Sequence, residues 1–474
     1  MVAPTGVIAM DSSRQWEVTH PCRDVKSKWG LTMTFSSLSM SFALGCTERS
    51  WLVCLVNHRS DFPTRNVQQH GGRNMTERVE SVRSGALLDQ LSEAWRGFGR
   101  TVVFDDPDTD TPLLRAEGLR FATRYLAAGA LLSMELADPA YPEFGRWADT
   151  TCSWGIDNPD VIYTLAAVSG DRTYRIHGDR GTAHYFDIQV HSPHFCEAPD
   201  YRINSNIDSR TLSAGSDGEF ELLLGPERPA GYTGNWLTID AEAGSLCVRQ
   251  VFSDWATERP ANLVIEAVDA VYPPPAPLSE ADVEARAQRL VRWLDKAGAY
   301  WDHMCKLSLN APANSLAFTP LSESAWGGFQ NQAYGMGSFQ CPPDEAVILE
   351  FEPPQCHYWS FGTGNWYWET VNWFSRQSSL NHSQARLDED GVFRAVISHR
   401  DPGVPNWLDT GGHTHGTING RLLLTDSVPS PTMRLVPLAD VRKFLPSETP
   451  AVTPAERTEQ IRLRRRSAHL RNSH

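Results

Sequence analysis

The chain contains an internal repeat of domain size. Three pairs of segments match in the same order: 184–188 with 357–361, 217–220 with 390–393, and 235–237 with 406–408. The offset is 173 residues for the first two pairs (357 − 184 and 390 − 217) and 171 for the third (406 − 235). Similarity that recurs at one offset over this distance indicates two copies of one domain. Any fold proposed for one copy therefore has to serve for both.

Each copy has the pattern of a β domain built from short strands. Apolar segments at 220–224, 246–252, 347–351 and 393–397 are separated by turns rich in Gly, Pro, Asn and Asp. Such spacing favours a sandwich or jelly roll over a parallel sheet. In the first copy, the strands 174–176 and 185–190 are predicted to pair with each other across the turn between them. The predicted fold class is α+β and mainly β, with two tandem antiparallel β-sandwiches of jelly-roll type.

Helical patterns flank the two β regions. Apolar residues recur at steps of three and four from Val79 to Phe98, and a second helix begins after the capping residue Thr111. These two helices are predicted to form an N-terminal cap. Ser279 and Asp282 form a capping box that starts a connecting helix. An arginine-rich tail helix is predicted after Thr453, with the protein's own body or a second subunit as its partner.

The predicted organisation has six segments. They are an extension at 1–74 that is disordered or lies upstream of a true start at Met75, a helical cap at 75–150, a first β-sandwich at 151–272, a Pro-rich linker and helix at 273–312, a second β-sandwich at 313–438, and a basic tail at 439–474.

Composition excludes two classes of partner. The formal net charge is −14, and a nucleic-acid binder needs a basic face, so no nucleic acid is expected. No run of about eighteen apolar residues occurs, so no membrane-spanning helix is expected. The nine cysteines include no CxxC pair, which favours reduced thiols and a cytoplasmic location.

The repeat also carries a family resemblance. The first copy contains Asp217-Gly218, Gly225-Pro226, Pro229, Gly231, Asn235-Trp236-Leu237 and Arg249, preceded by Asp157-Asn158-Pro159-Asp160. This pattern resembles the bacterial family called domain of unknown function 1214. The second copy keeps Asn406-Trp407-Leu408 and Arg421 but has Ser398-His399 in place of Gly225-Pro226. The resemblance implies β-rich domains in a soluble protein, in two tandem copies, and it implies no particular chemistry.

One group of residues in the second copy has the composition of a metal site. It comprises His399, Asp401, Asp409, His413 and His415. Imidazole and carboxylate groups are ordinary ligands of zinc and iron, and a His-x-His spacing places two rings on one face of a strand. Exposed turn residues give the same pattern without a metal. A divalent metal is therefore a hypothesis, and no cofactor is assigned. The spacing His191-x-x-His194-x-Cys196 is a weaker candidate of the same kind.

A second group is a candidate for contact with a small ligand. Its members are Asp157, Asn158, Trp359, Asn406 and Trp407, and the aromatic run from Trp366 to Phe374 lies close to them in sequence. Flat rings stack on sugars and other partly apolar molecules, while aromatic residues at strand spacing also fill cores. Asp157 and Asp160 have the composition of an acid–base pair, although Asx residues before proline are also common turn formers.

Two classes of function therefore stay open. The first is a protein that binds, and as an enzyme transforms, a small partly apolar or sugar-like ligand in the second β-sandwich. The second is a non-catalytic scaffold or interaction protein, with a homo-oligomer among the arrangements considered. Enzymatic activity is left open, because no nucleophile elbow, Walker loop, dinucleotide-binding turn or His-Glu-x-x-His helix occurs in the sequence.

Overall fold

The computed structural model describes residues 80–268, 275–319 and 328–472. The predictions for the extension 1–74 and for a start at Met75 concern residues outside these ranges. The α-helices that frame the β units are α1 Ala86–Gly99, α2 Pro112–Ala130, α3 Glu280–Arg292, α4 Gly298–Leu309 and α5 Pro454–Asn472. Helices α1, α2 and α3 continue into π-helical turns at Arg100–Phe104, Leu131–Glu135 and Trp293–Ala297. No helix in the described ranges has the length and apolarity needed to cross a bilayer.

Local sequence explains where these helices begin. The Thr111 hydroxyl accepts a hydrogen bond from the Leu114 N–H, and Pro112 occupies the first turn of α2, where its missing N–H costs nothing. Ser279 and Asp282 form the predicted capping box at the start of α3. Both predicted helix starts are confirmed.

The first β unit consists of two sheets. Its strands are β1 Gly145–Ala148, β2 Val161–Ala167, β3 Tyr174–Asp179, β4 Tyr185–Ser192, β5 Arg202–Asp208, β6 Glu219–Gly225, β7 Asn235–Thr238, β8 Ser245–Val251 and β9 Asn262–Ala267. One sheet has the order β1-β2-β8-β4-β5 and the other the order β7-β6-β3-β9. Between them lies an apolar core that includes Ile176, Phe186, Leu222 and Val248. This unit is a sandwich, as predicted.

The second β unit repeats this topology strand for strand. Its strands are β10 Ser315–Phe318, β11 Gln332–Gln340, β12 Glu345–Phe351, β13 Tyr358–Gly364, β14 Ser379–Asn381, β15 Phe393–Ser398, β16 Trp407–Asp409, β17 His415–Leu423 and β18 Thr432–Pro437. The sheet orders are β10-β11-β17-β13-β14 and β16-β15-β12-β18, which are the orders of the first unit with nine added to every strand number. The predicted duplication is therefore confirmed at the level of topology.

A matching side-chain bridge supports the same conclusion. Asn235 donates to the carbonyl of Glu221 and exchanges two hydrogen bonds with the backbone of Ser213, each at 2.8 Å. Asn406 makes the same three bonds, at 2.6 to 2.9 Å, with the two residues 173 positions further along the chain. Each amide thus joins a turn to the neighbouring strand, as expected for an Asn that replaces missing backbone partners.

One predicted strand pairing is wrong. The strands β3 and β4 are consecutive, yet β3 belongs to the four-stranded sheet and β4 to the five-stranded sheet. The turn between them carries the chain across the sandwich, so Ile176 of β3 and Ile188 of β4 lie in the same core. The alternation of apolar residues gives the buried face of each strand but does not identify its hydrogen-bonded neighbour.

The two units meet through the outer faces of their five-stranded sheets. A shared apolar cluster takes Val161, Tyr185 and Val251 from the first unit and Phe329, Tyr358 and Leu423 from the second. At the edge of this contact, His184 donates to the carbonyl of His357 (2.8 Å), and His357 donates to the carbonyl of His184 (3.0 Å). The exchange is reciprocal between positions that match in the repeat, so a pseudo-two-fold axis relates the two units here.

Candidate functional site

A cavity of about 120 Å³ lies where the two β units meet. Strands β2 and β8 of the first unit and β11 and β17 of the second provide its walls, together with α4 and the loop 154–158. These strands use one face for their own sandwich core and the opposite face for the cavity. The cavity therefore exists only when both units are in place.

The pseudo-two-fold places the same pair of residues in the wall from each side. Tyr163 on β2 is the register partner of Arg249 on β8, and Tyr334 on β11 is the register partner of Arg421 on β17. All four residues line the cavity. Two tyrosines and two arginines thus face one space, although they come from segments about 170 residues apart in the repeat.

Each arginine reaches across to the other unit. The guanidinium of Arg249 lies over the ring of Phe329, 5.5 Å from its centroid. Arg421 donates a hydrogen bond to the carbonyl of Ile156 in the loop that precedes β2. Both side chains are almost completely buried, with 4% and 5% of their residue surface exposed. The two cations therefore hold the units together and also bring positive charge to the cavity wall.

Each tyrosine hydroxyl is fixed by a backbone N–H of a preceding loop. The N–H of Asn158 donates to the Tyr163 hydroxyl (2.9 Å), and the N–H of Phe329 donates to the Tyr334 hydroxyl (2.8 Å). Burial raises the pKa of both phenols, so both keep their protons at neutral pH. Since each oxygen already accepts a bond, its O–H is available as a donor.

Three buried polar atoms in residues of the wall have no hydrogen-bond partner within the described part of the chain. They are Gln332 Oε1, Trp301 Nε1 and Trp147 Nε1. Gln332 is 1% exposed and lines the cavity, as does Trp301. A buried polar atom without a partner costs about 1–3 kcal/mol, so such atoms indicate a site that a bound molecule or water satisfies.

Two residues predicted to contact a ligand do line this cavity. Asp157 Oδ1 accepts from the Ser153 hydroxyl (2.5 Å) and from the Thr370 N–H (3.2 Å), and Oδ2 accepts from the Trp373 indole (3.1 Å). Burial raises the pKa of this carboxyl to about 6. The Asn158 amide donates to the Tyr358 hydroxyl (3.0 Å). Both side chains tie the two units together beneath the cavity wall.

The other three predicted contact residues lie elsewhere. Trp359 is buried in the core of the second sandwich, against Phe393. Asn406 forms the backbone bridge described above. Trp407 is 8% exposed, and its indole donates to the carbonyl of Ser398 (3.1 Å). None of the three is among the residues that line the cavity.

The five candidate metal ligands are not brought together. Each contacts a partner of its own: His399 the carbonyl of Cys341, His413 Glu117, His415 the carbonyl of Leu309, Asp401 Arg457, and Asp409 Arg376. In the described ranges, no group of three or more His, Cys, Asp or Glu is arranged to hold a metal ion. Because β17 begins only at His415, His413 lies outside the strand and the expected common face does not form.

The weaker candidate around His191 and His194 is part of an aromatic core. The His191 ring stacks near Phe195 and Tyr201, with centroids 5.5 and 5.2 Å away. Burial lowers the pKa of both histidines well below the ordinary value, which keeps them neutral. Cys196, like the other five cysteines of the described ranges, is a free thiol.

The sequence carried one signal for the residues that were missed. Arg249 and Arg421 lie at matching positions of the repeat, each in a segment predicted to be a strand. A charged residue in a buried strand is rare unless it is paired or functional. Gln332, Tyr163 and Tyr334 carry no comparable signal, because their role appears only when the two units are packed together.

The carboxyl of Asp187, on β4 opposite Arg249, gives a pH-dependent prediction. Burial raises its pKa from 3.8 to about 7, although the Arg249 charge acts in the opposite direction. The folded protein therefore retains a proton that the unfolded chain has already released, so this stabilisation is present at low pH and is lost as pH rises through about 7. Asp187→Asn cannot ionise. Its free energy of unfolding relative to wild type is expected to rise by roughly 2–3 kcal/mol between about pH 5 and about pH 8.

Urea denaturation of both proteins at the two pH values measures this change. The matched control is Asp217→Asn, an exposed turn residue of the same unit, whose effect is expected to be the same at both pH values. A difference between Asp187→Asn and wild type that does not change with pH would contradict the prediction.

Comparison with known proteins gives one family match. Residues 164–251, which run from β2 to β8, match the model of the family described as "Protein of unknown function (DUF1214)". The match lies within the first β unit and includes no residue of the second. No match was found among curated proteins.

Two solved structures are similar to the chain. A crystal structure of an uncharacterized protein from Burkholderia cenocepacia has 29% identity and a TM-score of 0.71, and the alignment covers 76% of this chain and 99% of that one. The VPA0106 protein from Vibrio parahaemolyticus has 13% identity and a TM-score of 0.39, over 67% and 98% of the two chains. The similarity to the first of these extends well beyond the segment 164–251 that the family model matches.

Proposed function

We propose that this protein binds a small, partly apolar molecule in the cavity between its two β units. The observation that carries the proposal is the set of unpartnered buried atoms in residues of the cavity wall, above all Gln332 Oε1 and Trp301 Nε1. A ligand with a donor for the glutamine and an acceptor for the indole removes both penalties at once.

The composition of the wall supports the same proposal. Aromatic rings from Trp147, Trp154, Tyr201 and Trp368 surround the polar groups. Ligand sites combine a mainly apolar lining with a few fixed polar groups, and this cavity has that combination. The location differs from the sequence hypothesis, because the junction of the two units replaces the interior of the second sandwich. A cytoplasmic location belongs to the same proposal and is supported by the free thiols of the described ranges.

The test is a ligand screen with a matched variant. The full chain is mixed with small aromatic acids, their amides, aromatic alcohols and monosaccharides, and melting temperature and Trp fluorescence are recorded. At least one class is expected to raise the melting temperature, since a ligand that binds only the folded state stabilises it. Gln332→Met keeps the length of the side chain but removes the amide. It is expected to weaken binding about tenfold and to change stability by no more than about 1 kcal/mol.

The control is Trp236→Phe, a half-buried position in the outer sheet of the first unit, far in the fold from the cavity. Its response to ligand is expected to equal that of wild type. If no class changes melting temperature or fluorescence, or if Gln332→Met responds like wild type, the binding proposal fails and the scaffold hypothesis takes its place.

A further inference from the structure

We infer that the ligand of this cavity is a small carboxylic acid with a flat apolar body, whose carboxylate lies between Arg249 and Arg421. The inference rests on the proposed function and narrows it to one class of ligand. Three features of the wall support it: its charge, its excess of hydrogen-bond donors, and the shape of its apolar part.

The charged residues that line the cavity are Arg249, Arg421 and Asp157, and the Asp187 carboxyl lies opposite Arg249 on the neighbouring strand, so the charge argument rests on Arg421. The Asp157 carboxylate already accepts from three donors and is turned towards Thr370 and Trp373. No ion pair in the described ranges includes Arg421, whose guanidinium donates to Asn419 and to a carbonyl. A buried cation is costly unless an anion approaches it, so the wall favours a negatively charged ligand.

Both guanidinium charges act on the same small region. Burial raises the pKa of Tyr163, and the charges of Arg421 and Arg249 both oppose that rise. Burial likewise raises the pKa of Tyr334, and the same two charges oppose it. Each arginine is thus within electrostatic range of both phenols.

The hydrogen-bonding groups of the wall are mostly donors. The two tyrosine O–H groups, the Trp301 indole N–H and the guanidinium groups donate, whereas Gln332 Oε1 is the unpartnered acceptor. A carboxylate offers about four lone pairs and no proton, so it matches this set. The two oxygens of a carboxylate lie in one plane and can both accept hydrogen bonds from one guanidinium. A carboxylate therefore pairs with arginine better than a compact anion does.

The apolar part of the wall selects the body of the ligand. Tryptophan, tyrosine and phenylalanine rings form most of the remaining surface, and flat rings pack against them by stacking or by edge contacts. A cavity of about 120 Å³ suits a molecule with one small ring. The class is therefore an aromatic or alicyclic monocarboxylic acid.

Matched acid and amide pairs test the inference. Isothermal titration calorimetry of the full chain compares benzoate with benzamide and phenylacetate with phenylacetamide, with inorganic phosphate as a third kind of probe. At least one acid is expected to bind 30-fold or more tightly than its amide and than phosphate. Arg421→Met and Arg249→Met are each expected to abolish acid binding, and Tyr334→Phe is expected to weaken it about fivefold.

Controls separate a lost site from a lost fold. Arg175→Met removes an arginine from the outer face of the first unit and is expected to bind the acid as wild type does. Near-ultraviolet circular dichroism checks each variant. If a methionine variant does not fold, Arg421→Lys replaces it, and its retained charge without the planar fork is expected to leave weakened binding.

The outcomes distinguish this inference from the proposed function. Equal binding of acid and amide, tighter binding of phosphate, or binding confined to alcohols or sugars overturns the carboxylate inference and leaves a binding protein. Failure of every probe class overturns both. Acid binding that survives both Arg421→Met and Arg249→Met also overturns the inference, because the charge would then play no part.

Discussion

A chain that ends at Val452, and so lacks α5, is expected to lose on the order of 5 kcal/mol or more of folding free energy. Three arginines of this helix, at positions 457, 464 and 471, recur every seven residues and face the body of the protein. Seven residues span about two helical turns, so the three side chains share one face. The helix begins at Thr453, which exchanges capping hydrogen bonds with Glu456.

Each of the three arginines docks on aromatic rings. The Arg457 guanidinium lies 5.4 Å from a Trp407 ring centroid and forms an ion pair with Asp401 (2.9 Å). Arg464 lies 4.5 Å and Arg471 4.4 Å from ring centroids of Trp255. Burial lowers the pKa of both Arg464 and Arg471 to about 10, while the Asp160 charge acts in the opposite direction. Both therefore keep their charge at neutral pH.

The helix bridges the two β units. Arg471 lies over Phe252 and Trp255 next to the first unit and also over Trp373 of the second, and it donates to the carbonyl of Pro159. Truncation therefore exposes these rings and separates contacts that cross the junction. Urea denaturation of the truncated and full chains measures the loss, and Arg464→Ala with Arg471→Ala gives the same comparison in a chain of full length.

The matched control for this prediction is the double change Arg465→Ala with Arg466→Ala. Both residues are exposed on the opposite face of the same helix, so the free energy of unfolding is expected to change by less than about 1 kcal/mol. A truncated chain that unfolds at the same urea concentration as the full chain would show that α5 only rests on the surface. In this structure α5 contacts the protein's own body, which is one of the two partners predicted for the basic tail.

The parts of this fold that the sequence predicts are those fixed by interactions between residues close in sequence. Thr111, Ser279 and Thr453 each mark a helix start because capping involves residues three positions apart. The repeat was visible because its turns and bridges reuse the same residues, above all Asn235 and Asn406. The hydrogen-bonded neighbours of a strand, by contrast, are not fixed by residues close to it in sequence. The pairing of β3 with β6 and β9, rather than with β4, depends on how the chain crosses the sandwich.

Most residues of the candidate site are not predicted from the sequence, because no pattern of neighbouring residues marks them. Gln332 and Trp301 become neighbours of Arg249 only through the packing of the two units and α4. Asp157 and Asn158 were identified from an Asx-Pro loop, and that loop lies in the wall. The histidines of the proposed metal site were close in sequence, but proximity in sequence does not fix direction. His399 and His415 instead satisfy backbone carbonyls of other segments.

The duplication provides a second large prediction, which compares equivalent tryptophans. Trp236 pairs in register with Leu223, and Trp407 pairs with Val396, 173 positions after Leu223. Equivalent positions in two copies of one sandwich are expected to be buried to a similar extent. Trp407 is buried, at 8% exposure, whereas Trp236 is only half-buried. The difference arises because the second unit has an additional apolar cluster on its outer sheet, formed with the segment 438–445, and Arg457 lies over the Trp407 ring.

Trp407→Ala is therefore expected to cost about 3–5 kcal/mol, while Trp236→Ala at the matching position is expected to cost about 1 kcal/mol. Removing Trp407 leaves a closed cavity, and the Ser398 carbonyl loses its indole donor. Removing Trp236 opens a site that water can enter, and its indole contacts only Thr238 through a hydrogen bond (3.0 Å). Urea denaturation of the two variants gives both values. Equal losses of unfolding free energy would mean that the segment 438–445 and α5 contribute nothing to the burial of Trp407. A larger loss for Trp236→Ala would mean that Trp236, and not Trp407, is the better packed of the two.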